Sequence, residues 1–178
     1  MLKTIKKTIT LILTVLLLLP VSSCSSPKHE HLPYQSTDFA CTAGMRVNGK
    51  NYSINVSKES NNYVLSFTAP SEISGVSIEK TSEGLFFSAG SVHIPMKEGS
   101  NVSAEALKLF QLSDKDLKTT STELYGGVKV NVTYYDCSFG KVKLIQSADT
   151  GNPLRIEADV NGNEVILSIS EFTISKPQ

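Results

Sequence analysis

From Asp38 onward, apolar and polar residues alternate with a period of two, and Gly- and Asn-rich turn signals break the alternation at short intervals. Period two is the spacing of a half-buried strand, whose successive side chains point to opposite faces. Phe39, Cys41, Ala43, Met45 and Val47 share one face, against Ala40, Thr42, Gly44 and Arg46 on the other. Asn48-Gly49 follows at once, and this dipeptide favours the positive-φ pair of a type I′ hairpin. The chain then returns through Tyr52, Ile54 and Val56, turns over 57–62, and presents Tyr63, Leu65 and Phe67 on one face until Pro70 ends the strand. Shorter strands are expected over 75–80, 85–89 and 92–96, with glycine turns at Gly84 and Gly90.

The period then changes. Val102, Ala106, Leu109 and Phe110 fall on one helical stripe, Ser103 suits the N-cap and Glu105 the first turn, so a helix is expected over 104–112, with a possible further turn over 113–117. Strands resume at Val128, Val130, Val132 and Tyr134 and run on to Ile145. They turn at Asp149-Thr150-Gly151-Asn152-Pro153 and return through Leu154, Ile156 and Ala158. Asn161-Gly162-Asn163 makes the last hairpin, into Val165, Leu167, Ile169 and Phe172. About six strands, one helical segment and about four strands, with no internal repeat, exclude a parallel α/β sheet and favour one curved antiparallel sheet.

The N-terminus is of another kind. Lys3, Lys6 and Lys7 precede a single apolar run from Thr8 to Pro20, about 13 residues against the roughly 20 needed to span a membrane. Val21-Ser22-Ser23-Cys24 follows and resembles the lipobox of bacterial lipoproteins. That resemblance implies cleavage before Cys24 and a diacylglyceryl group on its thiol. The expected division is an export signal with a signal helix over 1–23, a lipidated flexible tether over 24–36, rich in polar residues and proline, and a β-rich domain over 37–178. Two acyl chains anchor durably, which places the domain on the outer face of a membrane without spanning it. Of the 17 basic and 17 acidic residues, three lysines lie in the signal, so the mature charge is about −3 and gives no reason to expect nucleic acid. A monomer without cofactor is expected.

The closing segment Asp149 to Phe172, the opening meander, the central helix and the lipobox together resemble the LolA/LolB-like lipoprotein carrier fold, in particular small lipoproteins of low-GC Gram-positive bacteria. The likeness covers about residues 37–174, and the Asp-x-Gly-x-Pro turn is Asp149, Gly151 and Pro153. It implies a sheet curled into an incomplete β-barrel, with helical cover over an apolar concave face that receives acyl chains. A long sheet closes poorly around one short helix, so Phe39, Met45, Tyr63, Leu65, Phe67, Phe86, Leu109 and Phe110 are candidates to line a lipid cavity; the alternative is that they fill the core.

Other constellations are weak. Cys41 and Cys137 are the thiols left after lipidation, and outside the cytoplasm they either pair or stay as separate buried residues. His29-Glu30-His31 and His93 do not form the converging ligand set that a metal needs. Ser77-x-x-Lys80 and Ser138-x-x-Lys141 have the spacing of penicillin-recognising enzymes, but on strands positions i and i+3 face opposite ways. Gly44 to Lys50 imitates a phosphate loop with Asn51 where Ser or Thr is needed, and Asp159, Asn161, Asn163 and Glu164 suit a hairpin better than a calcium loop. No nucleophile, base and orienting group share an informative spacing, so an enzyme is not expected. The remaining readings are a lipid or amphiphile binder, and a cell-surface interaction or structural module with a packed core.

Overall fold

The computed structural model describes residues 32–99 and 101–175; Cys24 and His29-Glu30-His31 lie outside them. Eleven strands form one antiparallel sheet: β1 Phe39–Val47, β2 Lys50–Glu59, β3 Asn62–Ala69, β4 Val76–Thr81, β5 Gly84–Ala89, β6 Val92–Met96, β7 Leu117–Tyr125, β8 Val128–Cys137, β9 Gly140–Ser147, β10 Pro153–Val160 and β11 Asn163–Ile174. Their order across the sheet is β6-β5-β4-β3-β2-β1-β11-β10-β9-β8-β7. The sheet is not closed into a barrel, and its two edges, β6 and β7, are consecutive in the chain. The segment between them, 97–116, is therefore a strap running from one edge to the other.

Type I′-compatible turns set the register where Asn-Gly pairs announced them. Asn48 and Gly49 have φ of 47° and 81°, and Asn161 and Gly162 have 52° and 81°. The two turns are stitched together: the Asn48 side chain donates to Asn163 Oδ1 (2.7 Å), and its oxygen accepts the Glu164 N–H (3.0 Å). Asp159 Oδ1 accepts the Gly162 N–H at 2.7 Å. The residues that imitated a calcium loop are thus engaged in turn bonds.

The strap differs from the expected helix. Only Val102–Glu105 (α1) is α-helical; Ala106–Phe110 is a 3-10 helix, and Asp114–Asp116 makes a further 3-10 turn. The N-cap is Asn101 rather than Ser103: its side-chain oxygen accepts the Ser103 N–H at 2.8 Å. The tighter winding follows from burial. Ala104, Glu105, Ala106, Leu107, Leu109, Phe110 and Leu112 are all buried, so the segment is wrapped by protein on nearly every side rather than along one stripe. Buried Glu105 accepts the Gly99 N–H (2.8 Å) and pairs with Lys108 (2.9 Å), which also reaches Glu98 (3.3 Å). Although burial opposes the charge of Lys108, these two carboxylates raise its pKa above the ordinary value.

One strand escaped the sequence reading. β7, LKTTSTELY, is solvent-facing along almost its whole length, so it carries no apolar alternation and shows only as β-branched threonine. It forms the polar edge of the sheet, as edge strands tend to.

Candidate functional site

The concave face is built by the residues whose period-two spacing marked them. Phe39, Cys41, Ala43 and Met45 of β1, Ile54 and Val56 of β2, Tyr63, Leu65 and Phe67 of β3, and Val142, Leu144, Ile156, Val165 and Leu167 of the other half share one core with the strap's Leu107, Leu109 and Phe110. Of the eight candidate lining residues, seven are in this core and at most 9% exposed. They pack on one another and on the strap, so the space among them is filled.

Phe86 is the correction. It pairs with Glu79 and Pro95 and stacks on His93 (4.6 Å, 15°), on the face away from the core, while Phe87, opposite Ile78, points inward. Two adjacent phenylalanines necessarily take opposite faces of a strand, and the inner face falls to Phe87 rather than Phe86.

The residue that sequence reasoning missed is Tyr34. The expected flexible tether ran to Ser36, but its last residues belong to the fold: Pro33–Gln35 form a 3-10 turn, with Leu32 and Tyr34 buried. Tyr34 lies edge-on to Phe39 (5.9 Å) and Phe172 (5.7 Å); Phe39 in turn stacks on Phe172 (5.1 Å) and meets Phe110 (5.7 Å). Gln35 Nε2 donates to the Leu112 carbonyl at 2.7 Å, which ties this segment to the strap. Pro33 packs over Gly151 of the Asp149–Pro153 turn, where an added Cβ would come within 3.2 Å of the proline ring.

The Tyr34 phenol lies inside the curl of the sheet. Burial, above all, raises its pKa, with Tyr135 of β8 and Tyr63 of β3 adding to the effect. Those strands are six ladder steps apart, or about 29 Å in a flat sheet. Tyr34 meets Phe39 of β1 and Phe172 of β11, Phe39 in turn meets Tyr63, and Tyr135 shares the same core, so the sheet curls around this segment. The hydroxyl itself is buried and has no hydrogen-bond partner among the described residues.

Beside this plug the concave face opens into a groove of about 400 Å³, lined by Leu32, Pro33, Leu117 and Tyr135, by Thr120, Asn131, Thr133 and Gln146, and by Asp114 and 148–151. On the opposite face a wider trough of about 860 Å³ crosses β1, β11, β10, β9 and β8. Its charges largely answer one another: Arg155 with Glu157 (2.7 Å), Lys143 with Glu157 (3.8 Å), Arg46 with Glu164 (3.4 Å) and Lys118 with Asp136 (3.8 Å).

The chain matches no protein-family model and no curated protein. It does resemble solved structures. An uncharacterized conserved protein from Thermus thermophilus is 14% identical, with TM-score 0.54 over 80% of this chain and 82% of that one. A LolA-superfamily protein from Nitrosomonas europaea is 14% identical (TM-score 0.48, 82% and 89% covered). The Mycobacterium tuberculosis lipoprotein LppX is 10% identical (TM-score 0.43, 75% and 85% covered). At these identities only the fold is shared.

The two thiols are free and buried. They lie on β1 and β8 and are not bonded to each other, so the pairing considered from sequence is not formed in this structure. Burial pushes Cys41 up to about 12, against a lowering backbone bond at Val56, and burial followed by Asp116 and Asp136 pushes Cys137 up to about 11. Both values exceed the ordinary 9.0, so the fold favours the protonated thiols. That contribution is complete below about pH 9 and is lost as pH climbs towards the folded values. The urea midpoint should hold steady from pH 7 to 8.5 and fall above about pH 9, and Cys41→Ala should flatten the fall. A thiol reagent at pH 8 should find two reactive groups, Cys41 and Cys137, only after unfolding, with or without prior reduction.

Ser77 and Lys80 point to opposite faces, Ser77 donating to Glu79 and Lys80 to Gln111. The Ser-x-x-Lys spacing therefore brings no pair together here. Among the described residues no group of three or more potential metal ligands converges.

Proposed function

We propose that this protein is a non-catalytic, membrane-anchored domain, held outside the cytoplasm through lipidated Cys24, that binds an amphiphile between its curled sheet and its strap. The observation that carries the reading is the state of Tyr34. An apolar face roofed by two short pieces of chain, rather than by a second sheet, is filled in part by a tyrosine whose buried hydroxyl has no partner among the described residues. Such a plug is held by apolar contact alone at its centre, and an acyl chain offers the same contact without stranding a polar group. Leu32 and Tyr34 thus occupy the place of the ligand, and the bound state displaces them.

The full chain extracted from bacterial membranes in mild detergent tests this by native mass spectrometry. A noncovalent lipid beyond the diacylglyceryl group on Cys24, removable by organic solvent, is expected, at higher occupancy in Tyr34→Ala. Protein that is empty in both forms overturns the reading.

The outer trough favours a second reading, in which the protein is a cell-surface interaction module. Its alternating cations and anions suit a polar protein partner or envelope polymer. Crosslinking in intact cells that recovers one partner, with no lipid bound, would support it.

A further inference from the structure

Resting on the lipid anchor at Cys24, we infer that the tip of the β7–β8 hairpin, Leu124 to Val128, inserts into the surface of the bilayer that holds the anchor and docks the domain there. The tip is apolar where the fold gains nothing from it. β7 is polar from Lys118 to Glu123 and then ends in Leu124-Tyr125, the turn is Gly126-Gly127, and β8 begins at Val128. Leu124 is 77% exposed, and Tyr125 and Val128 are each 54% exposed. Single exposed apolar residues are ordinary, but three within five residues make a patch, and such patches mark contact surfaces. Both glycines have positive φ, 57° and 83°, so the turn is tight and the three side chains crowd one point. Tyr125 pairs with Val128 across the hairpin and Leu124 with Lys129. Paired residues share a face and adjacent ones take opposite faces, so the tip is apolar on both sides. A protein partner covers one side of a hairpin, whereas a bilayer surrounds it. Tyrosine is also a residue of membrane interfaces.

The end of the molecule is the right one. β8 and β9 pair as far as Val130 and Ser147, and the Ala148 N–H then donates to the Lys129 carbonyl at 3.2 Å. Residues 124–128 therefore overhang the end of β9, by about 10 Å at the strand rise. The turn that follows β9 carries Gly151, over which Pro33 packs. The described chain thus begins, at Leu32, at the same end of the sheet as the tip. Eight residues separate Leu32 from Cys24, a span of at most about 29 Å. An anchor on so short a lead holds this end near the headgroups, within reach of the overhanging tip, and sets Leu32 and Pro33 towards the lipid.

The chain contains no tryptophan, so a single introduced indole reports on its own surroundings. The test uses the full lipidated chain, purified from membranes and reconstituted into phosphatidylcholine vesicles with or without bromine on the acyl chains. The emission of Leu124→Trp is expected to be quenched at least twofold by the brominated lipid. Tyr134→Trp is the control: Tyr134 is exposed on the same strand, six residues beyond Val128 and about 20 Å from it, and less than 1.2-fold quenching is expected there. Adding Tyr125→Glu and Val128→Glu to Leu124→Trp should reduce the quenching to the control level while the protein still floats with the vesicles. Floating protein in which Leu124→Trp is unquenched, is quenched no more than Tyr134→Trp, or is unmoved by the two carboxylates overturns the docking and leaves the anchor intact. Emission that shifts only as protein density on the vesicle rises, without quenching by bromine, assigns the tip to a second copy of the chain and overturns it equally. Protein that does not float overturns the anchored reading itself.

Discussion

Replacing Phe110 by Ala is expected to destabilise the domain by about 3–5 kcal/mol and to leave a hollow that binds an apolar dye in the native state. Phe110 is fully buried and packs on Phe39 at 5.7 Å, the ring that also meets Tyr34, Tyr63 and Phe172. Its removal takes away the strap's largest contact with the sheet, and strand-bound neighbours cannot collapse into the void. At about 2–4 °C per kcal/mol for a domain of this size, the melting temperature should fall by roughly 10 °C. Phe86→Ala is the matched control. That ring lies on the outer face against His93 and is only half-buried, so its loss should cost about 1 kcal/mol. Similar losses for the two variants, measured by urea denaturation, would contradict the assignment of faces.

The second large effect concerns backbone. Gly140→Ala is expected to cost roughly 3 kcal/mol or more and to lower soluble yield sharply. Gly140 has φ of +140°, and a Cβ there would fall 1.7 Å from the Asp159 carbonyl oxygen. That oxygen is part of β10, whose end is fixed by the bond from the Asn161 N–H to the Phe139 carbonyl (2.9 Å). Neither side can give way without breaking the β9–β10 edge. Gly126→Ala separates the two causes, because Gly126 also has positive φ, at +57°, yet has nothing within 4 Å of the added carbon. It should lose only the conformational penalty of about 1–2 kcal/mol. A Gly140→Ala protein as stable as Gly126→Ala would show that the close approach is absent in solution.

The elements differ in how far they could be read in advance. β1, β2 and β3 were legible because each alternates cleanly and ends in a turn whose residues have a preferred geometry. β7 was not, since a strand with both faces in water has no apolar period to detect. The strap was recognised as helical, but its winding was not. The 3.6-residue stripe assumed one buried face, and the sheet's curl buries almost all of them. Phe86 and Phe87 show the limit at the finest level: adjacent identical residues leave the face to register, and register is a property of the pairing with β4 and β6. Tyr34 marks the largest gap. Its segment is polar and carries Pro33 beside it, the composition of a linker, and nothing local says that a curled sheet will enclose it.

The amino-acid order by itself determined the class of fold: alternation made strands, Asn-Gly pairs and single-glycine turns made hairpins, and sequential hairpins made an antiparallel sheet. These are local rules, in which side-chain direction and backbone φ are settled within a few residues. Only the tertiary structure decided what fills the hollow and which thiols stay apart. Each of those depends on how far a sheet of eleven strands bends, and bending sums small twists over strands far apart in the chain. No short stretch of sequence contains that sum.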